Sequence, residues 1–346
     1  MNKLQRKGLV VLSEMALGLS LAIAFSTLTH HIVLAQTPSP ATGMPQINWF
    51  QALVLGMVQG LTEFIPISST AHLKAIPVFL GWGDPGVTFT AVVQLGSIGA
   101  VLWYFRQDLI ELTWGAITQL RILAAKKELP PPTPTPPTPE GPHPPSPALS
   151  LKIAIGIAVG TLPIVIVGLG FKLFIPDLDN SPLRSMNTIA IASIVMASLL
   201  GLAEKLGQRR RDFDHLTTQD GILMGIAQAL AIIPGVSRSG STITAALFIG
   251  LERATAARFS FLLGIPAITL AGLVELKTEV LDANVGTQQW IPLGLGVLSS
   301  AVFSYLAIAW LMNYLQKQNT WLFVWYRLAF GIVILIASAF GLFANV

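Results

Sequence analysis

Apolar residues run along this chain in long stretches, and polar positions gather at the ends of those stretches or in two short interruptions within them. Spans are predicted at about 87–105, 151–170, 186–204, 258–275, 290–313 and 321–343. Each approaches the ~20 residues a helix needs to cross hydrocarbon. Two further regions, about 49–81 and 219–250, are each split by a proline break and a Ser-rich turn. Their arms, at roughly 15 residues, are too short to cross, so both regions are predicted as re-entrant helix hairpins. Between Pro130 and Pro147, 11 of 18 residues are proline. That composition excludes helix and reads as an extended, solvated loop insertion.

Before the first hairpin, Lys3, Arg6 and Lys7 precede an apolar run from Gly8 to about Leu28, and Val33-Leu34-Ala35 stands before Gln36. Residues 1–36 therefore read as an export signal, with an uncleaved membrane anchor as the alternative. Both deliver Gln36 to the outside. Residues 37–48 are Pro- and polar-rich and read as a linker. The remainder, 49–343, reads as one membrane domain.

Composition supports this picture. Hydrophobic residues make up 53% of the 346 and charged residues 11%, against about a quarter charged in a soluble domain. The formal net charge of +4 sits at segment ends, which is loop bias and not a nucleic-acid surface. No nucleic-acid partner is expected; membrane lipids are. The absence of cysteine excludes disulfides and thiolate metal sites.

With Gln36 outside, the first hairpin returns outside and the span at 87–105 runs inward. Arg106, Arg121, Lys126 and Lys127 then fall in the cytoplasm, as do Lys205, Arg209, Arg210 and Arg211 after the third span, Arg253 and Arg258 after the second hairpin, and Lys317. The positive-inside rule is obeyed throughout. Three spans separate the hairpins, so their topologies are opposite, which is the inverted-repeat plan. The expected fold is an all-α polytopic membrane protein, an inverted-topology repeat with two re-entrant helix hairpins and about six transmembrane helices. Repeat one covers about 49–205 and repeat two about 219–343.

The duplication is visible in the residues. Gly56-Met57-Val58-Gln59-Gly60-Leu61-Thr62-Glu63-Phe64-Ile65-Pro66-Ile67-Ser68-Ser69-Thr70-Ala71-His72 returns as Gly225-Ile226-Ala227-Gln228-Ala229-Leu230-Ala231-Ile232-Ile233-Pro234-Gly235-Val236-Ser237-Arg238-Ser239-Gly240-Ser241-Thr242. Gln59 and Glu63 are four apart and share a helix face; Pro66 marks the break. Ser68, Ser69 and Thr70 then stand at a helix start, where hydroxyls cap and bare N–H groups attract phosphate. An unpaired carboxylate at membrane depth costs several kcal/mol, which makes Glu63 a functional candidate. His72 reads either as a satisfied core residue or as a base or nucleophile facing Glu63. In the second copy, two glycines let the backbone approach a ligand. The N–H groups around Ser237, Ser239, Gly240 and Thr242 form an anion nest, and Arg238 adds a fork that matches phosphate oxygens. Arg238 paired to Glu63 is the alternative. Arg327, within the last span, reads as structural or as a headgroup partner.

These two motifs, from Gln59 to Leu73 and from Pro234 to Thr242, resemble those of the membrane-integral undecaprenyl-diphosphate phosphatases, or bacitracin-resistance proteins. The resemblance covers about 49–343, without the N-terminal extension and the Pro-rich insertion. It implies hydrolysis of a C55 prenyl diphosphate lipid to the monophosphate carrier used in cell-wall synthesis. It further implies a divalent cation, Mg²⁺ or Ca²⁺, and a site on the outer side of the bacterial plasma membrane. By resemblance, Glu63 matches the essential carboxylate, Ser69 and His72 the catalytic Ser and His, and Arg238 the phosphate-binding Arg. Gln59 stands where many members carry a second Glu, so Glu63 with Gln59 would position the cation. Ser69 attacking with His72 as base, and His72 attacking itself, are both left open, as is a homodimer. The competing class is an inverted-repeat transporter of an anion or lipid phosphate, which the architecture alone would favour.

Overall fold

The computed structural model describes residues 47–125, 145–174, 181–281 and 289–343. The export segment, the linker up to residue 46 and the Pro-rich insertion up to residue 144 lie outside the described residues. Those described form α1 (Trp49–Phe64), α2 (Ser69–Phe79), α3 (Gly86–Tyr104), α4 (Arg106–Ala124), α5 (Pro147–Phe174), α6 (Met186–Leu206), α7 (Thr218–Ala229), α8 (Arg238–Phe248), α9 (Arg253–Glu275), α10 (Trp290–Lys317) and α11 (Trp321–Ala339). No strand ladder occurs among them.

Among the described residues, six helices are long and apolar enough to cross a membrane: α3, α5, α6, α9 with its extension to Thr278, α10 and α11. They coincide with the six predicted spans. α9 begins at Arg253 and not near residue 258, because its charged first turns are satisfied in place. Arg253 Nε donates to Glu204 at 3.1 Å and Arg258 Nε to Asp108 at 2.6 Å. α4 was not predicted. Its charged residues mask a helix that buries Leu112 and Ala116 while Ile110, Trp114 and Leu120 stay exposed.

Three of the four hairpin arms are shorter than expected, with 11 residues in α2, 12 in α7 and 11 in α8, while α1 has 16. At ~1.5 Å per residue none reaches the ~30 Å of a hydrocarbon core. Both hairpins start with a capping box. Asn48 exchanges hydrogen bonds with Gln51, and Thr217 does so with Asp220. Both break before a serine with positive φ, Ser68 at 75° and Ser237 at 71°. Both end at a positive-φ glycine, Gly81 and Gly250. One offset relates every pair (237 − 68 = 169, 250 − 81 = 169). Local geometry is thus duplicated along with sequence.

Packing is exchanged in the same way. α1 lies along α10, and α7 along α5. A Cβ on Gly56 or Gly60 would overlap the backbone of Gly296 or Ser300, and one on Gly221 or Gly225 the carbonyl of Gly156 or Gly160. Small residues four apart let each pair of backbones meet, the device membrane helices use where lipid is as apolar as leucine. Outer faces carry Leu162, Ile166, Leu298, Leu322 and Ile332, apolar surface suited to acyl chains.

Charge collects at one end. Glu204, buried at the C-terminus of α6, takes Arg209, Arg253 and the Thr320 hydroxyl. Arg211 pairs with Asp220, and Arg258 lies 4.0 Å from the Phe213 ring centroid.

Candidate active site

The two polar turns meet at a cavity of about 310 Å³. Its lining includes Glu63, Ser68, Ser69 and Thr70 from the first hairpin and Gly235, Ser237 and Arg238 from the second. Ala267, Ile268, Ala271 and Glu275 carry the wall along α9 toward its C-terminus, and Gln94 of α3 closes another side. Gln94 and Glu275 were not singled out from sequence. Each is a polar residue in or at the end of an apolar span, which is the signal that would have found it.

Glu63 closes the C-terminal end of α1, one residue before Phe64. Its Oε2 accepts the Ser69 hydroxyl at 2.8 Å and the Gln59 amide at 3.2 Å. Gln59 is buried behind it, held also near Ser97 Oγ at 3.5 Å, and Ser97 belongs to a buried serine chain with Ser300 and Ser304. The other oxygen, Oε1, faces Arg238 Nη2 at 3.7 Å. That is an ion pair without a hydrogen bond. Nε, Nη1 and Nη2 of Arg238 are all buried and, among the described residues, donate to nothing. The guanidinium carbon lies 5.9 Å from the Phe64 ring centroid, and the backbone of Gly264 is so close that a Cβ there would sit 2.7 Å from it. A buried fork whose donors make no hydrogen bond carries a desolvation penalty that an ion pair at 3.7 Å offsets only in part. An anion with several acceptor oxygens relieves it.

Of the two readings of His72, the structure gives the buried core residue with both ring nitrogens partnered. It does not line the cavity and is 1% exposed. Nδ1 lies 2.7 Å from the Ser68 carbonyl and Nε2 2.7 Å from the Tyr326 hydroxyl, while Phe330 stacks on the ring at 4.1 Å. It therefore faces α11 and not the carboxylate. Tyr326 and Phe330, four apart on one face of α11, offer a flat slot that the imidazole fills. By holding the Ser68 carbonyl, His72 supports the strained backbone just before Ser69; a non-glycine residue at such a φ costs of order 1–3 kcal/mol.

Ser239, Gly240 and Thr242 lie behind the cavity wall. Ser239 Oγ reaches the Ile65 carbonyl at 3.4 Å, tying the second turn to the first, and Thr242 Oγ1 reaches the Arg238 carbonyl at 2.9 Å. Ser237 Oγ caps α8 by accepting from Gly240 N at 3.1 Å. Arg327 is fully buried beneath both turns, the structural reading of that residue.

Fold and site together define a polytopic helical membrane protein with a polar cavity built from two broken hairpins. Residues 52–333 match the family described as Bacitracin resistance protein BacA. Over 345 residues the chain is 53% identical to the undecaprenyl-diphosphatase of Nostoc sp., covering 100% of both chains. It is 56% identical to that of Synechocystis sp. over 93% of this chain and 95% of the other. With that of Trichodesmium erythraeum the identity is 57%, over 89% and 92%. The chain belongs to the bacitracin resistance protein family.

Proposed function

We infer that this chain is a membrane phosphatase that hydrolyses undecaprenyl diphosphate to undecaprenyl phosphate and inorganic phosphate. It thereby recycles the lipid carrier for cell-wall synthesis and confers resistance to bacitracin. The observation that carries the reading is one cavity holding an uncommitted buried guanidinium, Arg238, beside a carboxylate already bonded to a hydroxyl, Glu63 to Ser69. A transporter needs the first feature but has no use for the second.

Arg238 binds the diphosphate beside Ser237; the Gly240 N–H is already given to Ser237 Oγ. Ser69 Oγ forms a bond to the terminal phosphorus while the bond from that phosphorus to the bridging oxygen breaks, and the electron pair leaves on the prenyl monophosphate. Glu63 accepts the serine proton, being the group in hydrogen-bond reach of it. Water then attacks the phosphoserine, the bond from phosphorus to Oγ breaks, and phosphate departs. Glu63 returns a proton to Oγ and passes the water's proton to solvent. His72, with both ring nitrogens engaged, acts as a positioning residue.

Glu63, the Ser68, Ser69 and Thr70 hydroxyls, and Glu275 give the cavity hard oxygen donors. Among the described residues, no three His, Cys, Asp or Glu side chains cluster as a cage. That donor set fits Mg²⁺ or Ca²⁺ held by Glu63 and mainly by the substrate phosphates. Gln59 would orient Glu63 for it. When bound, the cation neutralises charge developing on the phosphoryl oxygens.

The cavity wall climbs α9 away from the basic, ion-paired end. The positive-inside rule puts that end in the cytoplasm, which supports an outward-opening site and opposed hairpins in the bacterial plasma membrane. Phosphate release from a long-chain prenyl diphosphate by purified protein, with and without EDTA, tests the reading, together with Ser69→Ala. EDTA should silence the wild type, and the variant should lose at least about 10³-fold. Near-wild-type turnover in Ser69→Ala would remove serine as nucleophile, and no release under any cation would favour the transporter.

A further inference from the structure

Among the described residues, Arg238 and Arg327 both keep a buried guanidinium beside the turns, and they differ in one respect. Arg238 leaves its donors free, whereas Arg327 has committed its own. Nη1 of Arg327 donates to the Pro66 carbonyl at 3.2 Å, Nη2 to the Gly235 and Val236 carbonyls at 2.8 and 3.0 Å, and Nε to Ser193 Oγ at 3.4 Å. Every acceptor is neutral. Pro66 and Gly235 are equivalent positions of the duplicated turns (235 − 66 = 169), each two residues before the strained serine. One guanidinium therefore grips the same carbonyl in both halves.

A fully desolvated cation without a carboxylate among its bonded partners is expensive at membrane depth. Hydrophobic packing could fill its volume more cheaply, so a geometric task is the better explanation. We propose that Arg327 is a positioning residue that fixes the first turn against the second. It would thereby set the distance and angle between Ser69, which attacks, and Arg238, which holds the phosphate. The assignment rests on the roles given to those two residues. Other links between the turns are weak: Ser239 Oγ to the Ile65 carbonyl at 3.4 Å, and the 3.7 Å ion pair. A planar fork can hold two turns at once, whereas an ammonium is a point charge. Peptide planarity adds a second effect. With the Val236 carbonyl held by Arg327, the Ser237 N–H in the same peptide unit points away from it.

Gly240 gives independent support. A Cβ there would lie 2.6 Å from Arg327 Nη1 and 3.0 Å from Ser237 Cβ. The guanidinium thus passes under the first turn of α8 where a side chain would block it. The need for glycine at this position is access for Arg327, not close approach of a ligand.

The test uses the full chain in detergent and compares wild type, Arg327→Lys and Gly240→Ala. The measurements are kcat and KM for a long-chain prenyl diphosphate, normalised to folded protein by thermal unfolding. Arg327→Lys should lose about 10²-fold in kcat, the scale of a 1 Å misplacement, with KM within about threefold because Arg238 is untouched. Gly240→Ala, which shifts the fork and leaves its charge, should lose about tenfold in kcat with the same split. A purely structural arginine would lower the amount of folded protein and leave kcat per folded molecule unchanged. A folded Arg327→Lys with kcat within about threefold of wild type overturns the proposal. Where Arg327→Lys does not fold, Gly240→Ala decides by the same criterion. Inactive wild type would overturn the phosphatase reading itself; active wild type beside unaffected variants overturns only the role of Arg327.

Discussion

Gly264→Ala perturbs the proposed phosphate clamp while leaving Arg238 itself unmutated. Gly264 lies inside α9, and its added Cβ would coincide with Arg238 Nη1 and sit 2.7 Å from the guanidinium carbon. The Phe64 ring also lies near, 5.9 Å from the guanidinium carbon, so the fork must shift within a crowded site. A charge-assisted hydrogen bond is worth about 1.5–3 kcal/mol. At about 1.36 kcal/mol per factor of ten, spoiling one such bond in the transition state costs about 10- to 150-fold in kcat/KM. Helix propensity works the other way, because alanine in a helix interior is favoured over glycine by roughly 0.5–1 kcal/mol. The expected signature is therefore a folded protein, little changed in thermal stability, with kcat/KM down by that factor. Phosphate release from a prenyl diphosphate is the assay. Gly99→Ala serves as control, since a Cβ on Gly99 meets nothing within 4 Å. Should Gly264→Ala keep kcat/KM within about threefold of wild type, the guanidinium either moves freely or does not bind the phosphate, and the site as described fails.

Two further outcomes follow from the same geometry. Glu63→Gln should abolish cation-dependent turnover, while Gln59→Glu should lower the Mg²⁺ or Ca²⁺ concentration needed for half-maximal activity, by restoring a carboxylate one turn before Glu63; an unchanged cation requirement in Glu63→Gln would move the metal elsewhere. Gly225→Ala should destabilise the protein by about 1–3 kcal/mol through overpacking, because its Cβ would overlap the Gly160 carbonyl; thermal unfolding no lower than wild type would mean that the crossing of α5 and α7 is looser than it looks.

The hairpins show how far residues alone reach. Proline and a Ser-rich turn inside an apolar stretch were sufficient to locate both breaks. The Asn48 and Thr217 capping boxes, which carry Asn-x-x-Gln and Thr-x-x-Asp patterns, were found only in the structure. α4 was not legible, because Arg106, Asp108, Glu111 and Arg121 hide a helix whose buried face is only Leu112 and Ala116. Its apolar partner is α5, which no local window contains. His72 was legible as a residue but not as a role. Spacing from Glu63 says nothing about the aromatic slot on α11, more than 250 positions away in sequence (326 − 72 = 254).

What the sequence determined by itself is whatever depends on composition and short-range order: a membrane-embedded helical chain, six spans, two broken hairpins, and Glu63, Ser69 and Arg238 as candidate residues that the structure brings to one cavity. Hydrophobic length and proline placement act within one or two turns of helix, so they survive without a partner. The tertiary structure decided everything that depends on which surfaces meet. It turned Gln59 and His72 into supports, drew Glu275 and Gln94 to the cavity, left Arg238 uncommitted over Gly264, and placed Arg327 under both turns. The two arginines are the same side chain in similarly apolar stretches. Only the packing of distant helices gives one a set of carbonyls and leaves the other an empty fork.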